Sequence, residues 1–174
     1  MATKTPQAQP ESLNREDGIK KLRELVKGID IAMLTTIGDG GALRSRPMGT
    51  QDIDFDGDLW FFTSDESGKV SEVKREQQVG VVYAEPKDNR YVSFSGTATL
   101  VKDPAKIKEL WKPELKVWFP DGLETPDLAL LKVSADHAEY WDAPSSVMVT
   151  AISFVKALVT GTEAEMGENK KVDL

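Results

Sequence analysis

The stretch LWFFTSDESGKVSEVKRE, residues 59–76, changes character halfway. Leu59 to Thr63 is a short aliphatic and aromatic run, the composition of a buried strand. Beyond Ser67 the apolar positions are Val70 and Val73, spaced as on the inner face of a short helix that also carries Lys69. A strand end rich in hydroxyls followed by a helix start with a lysine suits a phosphate. The free N–H groups of a helix start favour an anion, and Ser67 and Lys69 lie beside them. Gly68 lets a ligand approach the backbone, while Thr63 and Ser64 add hydroxyl donors. The plainer reading of Ser-Gly-Lys at this place is a helix cap.

Outward from this stretch the chain reads mainly as β-structure. Upstream, Asn14 is placed to cap a helix whose stripe is Ile19, Leu22, Leu25 and Val26, and Gly28 suits its end. Ile31 to Ile37 is an apolar strand, GDGG a turn, and ALRSRPMGTQDIDF an alternating strand. Asp56-Gly57 is a hairpin signal that would lead into Leu59–Thr63 and make a three-strand meander. Downstream, Val79–Glu85 and Arg90–Val101 read as strands joined by a short turn. Asp103 and Pro104 open a further helix, and KPELKVWFPDG gives a helical turn or two. LALLKV and AEYWDA read as a last strand pair, and residues 144–161 as a closing helix before a polar tail. The expected fold is mainly β with flanking helices: a small barrel of about six to seven mostly antiparallel strands. Residues 1–12 read as a loose tail and 13–174 as a single domain.

Composition narrows the function. There are 174 residues, 40% of them hydrophobic and 29% charged, as in an ordinary globular chain. No apolar run reaches the length of about 18 residues that a spanning helix needs, and no signal core opens the chain, so a cytoplasmic protein without membrane contact is expected. With no cysteine and one histidine, His137, thiolate and multi-histidine metal sites are excluded. No strained nucleophile elbow accompanies His137, which reads as a surface residue. A net charge of −7 repels polyanions, so an oligonucleotide-binding barrel is a poor reading and no nucleic-acid partner is expected.

Strand alternation puts Arg44, Arg46 and Met48 on one face. Two arginines there need water or an anion, and a solvated face would serve as well as a ligand. Pro47 gives no ladder donor and Gly49 no side-chain cover, so part of this backbone should stay free, as suits the edge of a flat heterocycle. Of the four tryptophans, Trp60 reads as core. Trp118 and Trp141 fall near loops, where an indole covers a ring system or a subunit contact.

The order of these pieces resembles the general stress protein branch of the FMN-binding split barrels, relatives of pyridoxamine 5′-phosphate oxidase. The resemblance runs from about residue 13 to the end, through IAMLTTIGDGGALRSRPM, LWFFTSDESGKVSEV, VGVVYAEPKDNRYVSFSGTATLV, HAEYWDAPSS and GENKKVDL. It implies a split barrel that binds FMN as a homodimer, with the flavin sites at the interface. Carried over, Arg46 serves the phosphate, and Pro47, Met48 and Gln51 border the isoalloxazine. Phe62 and Thr63 lie beside the ring and ribityl chain. Ser67 and Lys69 match the phosphate-binding S-R-K of the oxidases, with Gly68 in place of its arginine. Tyr91 and Trp141 approach the flavin from the partner chain. Gln51 stands where the oxidase has a lysine, and GTEAEMGENKKVDL lacks its arginine–histidine pair. The resemblance therefore implies an FMN protein that is not a vitamin B6 oxidase. The expected function is an FMN-dependent oxidoreductase on an unknown small molecule, with a nicotinamide as electron donor. The alternative is a non-catalytic flavin binder or sensor.

Overall fold

A computed structural model describes residues 14–51, 54–143 and 168–174. Helix α1 (Arg15–Val26) starts as its sequence dictates: the Asn14 side chain accepts from the Asp17 N–H at 3.0 Å. Glu16 and Asp17 fill the first turn, where the helix dipole favours acids. At the other end, Gly28 adopts φ 77°, and Arg90 donates across the fold to the Leu25 carbonyl at 3.0 Å.

Strands β1 (Ile31–Ile37) and β2 (Leu43–Gly49) form a hairpin. There follow β3 (Asp58–Ser64), α2 (Gly68–Arg75), β4 (Gln78–Glu85), β5 (Arg90–Val101), α3 (Pro104–Leu110), β6 (Leu128–Asp142) and β7 (Glu168–Asp173). Every pairing is antiparallel, in the order β2-β1-β4-β5-β6-β3, with β7 also on β6. The sheet curls so that its end strands, β2 and β3, approach without sharing a ladder.

The expected strands are present, with three differences. The three-strand meander does not form. β3 pairs with β6 at the far end of the sheet, and Asp56-Gly57 is a bend before it rather than a β2–β3 hairpin. Both faces of β3 are covered, Phe61 by the main core and Phe62 by a second apolar cluster, so its burial decides its partner. The expected last strand pair is one continuous strand, β6. Its Leu128–Ser134 half pairs with β3 and its His137–Asp142 half with β7. A bulge keeps it unbroken: Ser95 pairs with His137 but Gly96 with Ala135, so one residue of β6 is extra. At Gly96 a Cβ would lie 2.1 Å from the Ser134 carbonyl oxygen, so the two backbones meet only because it is glycine. Finally, the end of the polar tail is strand β7, whose Val172 is fully buried in the main core near α1. The expected closing helix and the N-terminal tail lie outside the described residues.

The main core fills the inside of the curl with Leu22 and Leu25 from α1, Leu34, Phe61, Val81, Phe94 and Tyr140. The second cluster sits outside β3 and β6, where Ile107 and Leu110 of α3 meet Phe62, Leu128 and Leu130. It builds one wall of the candidate site.

Candidate functional site

The split between β2 and β3 contains a slot of about 270 Å³. Strand β2 contributes Pro47, Met48 and Gly49, and β3 contributes Phe62, Thr63 and Ser64. Lys69 enters from the first turn of α2, and the segment joining α3 to β6 adds Leu115, Trp118 and Phe119. One end of the slot is apolar and aromatic, while the other gathers hydroxyls, an ammonium and a helix start. As an end strand, β2 leaves the backbone edge turned away from β1 outside the ladder, as its proline suggested.

At the polar end, Ser67 occupies the N-cap position of α2 yet its side chain makes no capping hydrogen bond. Its hydroxyl lies 3.2 Å from that of Thr63. The Val70 N–H donates to the Ser67 carbonyl at 3.0 Å, so what the α2 start keeps outside the usual cap is the Ser67 hydroxyl and the N–H groups ahead of Val70. Lys69 is half-buried, and among the described residues it has no carboxylate partner. Burial, and after it the nearby Arg46 charge, push its ammonium pKa below the ordinary value.

Beside the slot, β1, β2 and α2 share a charge network. The Glu72 carboxylate, only 5% exposed, accepts from the Thr36 hydroxyl at 2.5 Å and from Arg46 at 2.8 Å through one oxygen. Its other oxygen accepts from Arg44 at 3.0 Å, and Arg46 also donates to the Thr36 hydroxyl. The Thr36 bond foremost, and then the two arginines, hold the Glu72 carboxyl below its usual range against the opposing effect of burial. Arg46, paired with Glu72, and Lys69 thus bring two cationic groups to the polar end of the slot or just behind it. An ammonium, hydroxyls and a helix start at one place suit a phosphate, so the residues present fit such a group.

The slot brings together six of the expected residues: Pro47, Met48, Phe62, Thr63, Ser64 and Lys69. Ser67 joins them through Thr63, and Arg46 stands behind, bonded to Glu72 and Thr36. Gln51 lines a separate cavity of about 390 Å³ near the end of α1, with Arg23, Trp60 and Tyr83. Tyr91 and Trp141 are direct cross-strand neighbours on the outer face of β5 and β6, away from the slot lining of this chain. Sequence reading missed Thr36 and Glu72. Thr36 follows Ala32 and Leu34 on the buried face of β1, and a hydroxyl in that series was the available signal.

This architecture, an antiparallel sheet curled into a half-barrel around a slot between its end strands, defines a split-barrel protein. A putative general stress protein 26 from Jannaschia superposes with a TM-score of 0.76 over 91% of this chain and 99% of its own, at 24% identity. The general stress FMN/FAD-binding protein of Xanthomonas citri aligns at 30% identity over 76% of this chain and 93% of its own, with a TM-score of 0.66. Protein bli-3 of Neurospora crassa is 26% identical over 164 residues, 88% of this chain and 78% of that protein. The family described as "Pyridoxamine 5′-phosphate oxidase like" matches residues 17–165, and the chain belongs to it. Among the described residues no helix is long and apolar enough to cross a membrane.

Proposed function

We propose that the chain binds FMN in the β2–β3 slot and serves as a general-stress flavoprotein, an oxidoreductase acting on a small molecule. The observation that carries this reading is Lys69, a half-buried ammonium without a carboxylate partner among the described residues, at the polar end of an otherwise apolar slot. Lys69, the Thr63, Ser64 and Ser67 hydroxyls and the α2 start would hold the phosphate, with Arg46 supplying charge from behind. Pro47, Met48 and Phe62 would border the ring. The FMN/FAD binding of the Xanthomonas citri relative supports a flavin, and Lys69 beside the α2 start suits the terminal phosphate of FMN. Bound flavin would supply two-electron redox chemistry that no side chain here offers.

The same reading takes the protein to be a homodimer. Ile31, Met33, Val82, Tyr91 and Trp141 form an exposed apolar face across β1, β4, β5 and β6, and Met33 and Val82 are directly paired. A partner seated there would bring Tyr91 and Trp141 toward the flavin of its neighbour. The second reading, a flavin binder without turnover, is favoured by the slot lining. Among the described residues that line it, none apart from Lys69 carries a carboxylate, imidazole or ammonium suited to proton transfer. Neither reading is a vitamin B6 oxidase: by the family resemblance Gln51 stands in place of a lysine, and GTEAEMGENKKVDL lacks the arginine–histidine pair.

Purified protein should be yellow and release FMN on denaturation. Colourless protein that takes up no FMN in a titration overturns the proposal. Anaerobic mixing with reduced nicotinamide separates the two readings: rapid bleaching supports the enzyme, and an unreactive bound flavin supports the binder.

A further inference from the structure

Trp118 is the most exposed aromatic side chain among the described residues, at 65%, although it lines the slot. An indole left in water forgoes much of the stabilisation that burial would give it. Its position is set by its backbone instead. The N–H groups of Trp118 and Phe119 both donate to the Leu115 carbonyl, at 3.0 and 2.9 Å, in a tight helical turn that starts at Pro113. Pro120 follows directly, and the Phe119 ring is anchored 6.4 Å from that of Phe62. The backbone turn thus places the indole at the slot, and among the described residues no ring pairs with it. Pro47 and Met48 line the same slot, and an aliphatic ring and a polarisable thioether both pack well against an aromatic ligand.

We propose that Trp118 is the stacking wall that determines specificity, covering the ring of the bound ligand so that the slot selects phosphate esters of extended planar heterocycles over other phosphate esters. The inference rests on the flavin reading but adds to it. The cluster around Lys69 recognises a phosphate on anything; Trp118 reads what the phosphate is attached to.

The test compares the unsubstituted chain with Trp118→Ala and Trp118→Phe. Each is titrated with FMN while flavin fluorescence is followed, and separately with ribose 5-phosphate as a competitor that has the phosphate without the ring. Trp118→Ala should bind FMN about tenfold more weakly, the scale of one aromatic stack. Its bound flavin should be brighter because the quenching indole is gone. Trp118→Phe should lie between, and ribose 5-phosphate should bind all three alike. The thermal midpoint should hold, since the side chain is exposed. Unchanged FMN affinity and quenching in Trp118→Ala would overturn the inference while leaving the flavin reading intact. Equal weakening of FMN and ribose 5-phosphate would overturn it too, by implicating the loop rather than the indole. So would loss of the dimer in sedimentation, which would make Trp118 an interface group. Failure of the unsubstituted chain to take up FMN defeats both readings.

Discussion

Desolvating a carboxylate costs several kcal/mol unless partners compensate, and Glu72, 5% exposed, has Thr36, Arg44 and Arg46 to do so. Because its carboxyl pKa is lowered by folding, the group stabilises the fold fully above its unfolded value, about 4.3. That contribution is lost as pH falls through the depressed folded value. Thermal unfolding of Glu72→Gln should therefore show a deficit of about 1–3 kcal/mol near neutral pH that shrinks steadily below about pH 4. A pH-independent deficit would mean that shape, not charge, is what the fold needs there. Lys69 has the opposite sign. Folding lowers its pKa, so its charged form is disfavoured in the unliganded protein. Lys69→Ala should leave unliganded stability equal or higher yet weaken FMN by about 1.5–3 kcal/mol, the scale of a charge-assisted bond. Arg46→Ala should lower both, because Arg46 also holds Thr36 and Glu72. Paired melting and titration of the two variants would expose any other pattern.

Helix α2 and the β5–β6 ladder separate a glycine kept for a ligand from one kept for the fold. A Cβ at Gly68 meets nothing within 4 Å. Gly68→Ala should thus stabilise the unliganded protein by about 0.5–1 kcal/mol through helix propensity. It should weaken FMN if the phosphate lies against that first turn, and unchanged affinity would move the phosphate elsewhere. At Gly96 the obstacle is backbone, so Gly96→Ala should cost about 1–3 kcal/mol, read as a lowered denaturation midpoint with the same m-value. Such close approaches are invisible in a sequence, which explains what could be read from it. Elements set by local chemistry were legible: the Asn14 and Asp103 caps, the β1 and β5 limits, and Val70 and Val73 under α2. Elements set by distant partners were not. Ser134 to His137 looks like a turn until it is seen as a bulge within β6 opposite Ser95 and Gly96, and ENKKVD has a single apolar residue to betray a strand. At the site, the Thr63–Lys69 stretch was legible because one strand–turn–helix carries it. Glu72 was not, because a glutamate on a short polar helix looks solvent-facing until Arg44 and Arg46 are seen to reach it.

At the scale of the whole molecule, association must overcome charge. Each chain carries −7, so two copies repel one another at long range, and only a largely apolar contact can hold them. The exposed face around Met33 and Val82, continuous across four strands through Tyr91 and Trp141, is the surface that the proposed dimer would bury. Salt offers one handle: because screening acts within about 10 Å at 0.1 M, raising ionic strength should tighten the dimer rather than dissolve it. Val82→Lys offers a sharper one. The substitution makes the net charge less negative and so reduces long-range repulsion, but it places an unpaired ammonium at the middle of the apolar face. If general electrostatics governed association, the variant would dimerise better. If burial of this face governs it, the variant should sediment as a monomer, because an unpaired buried charge costs several kcal/mol. FMN titration of the same sample then separates fold from assembly. Slot residues such as Lys69 and Met48 remain in place in a folded monomer, whereas any contribution of Tyr91 and Trp141 from a partner is lost. Weakened FMN in a monomer with an intact melting transition would place the complete site across two chains. A monomer that holds FMN as tightly as the unsubstituted protein would confine it to one.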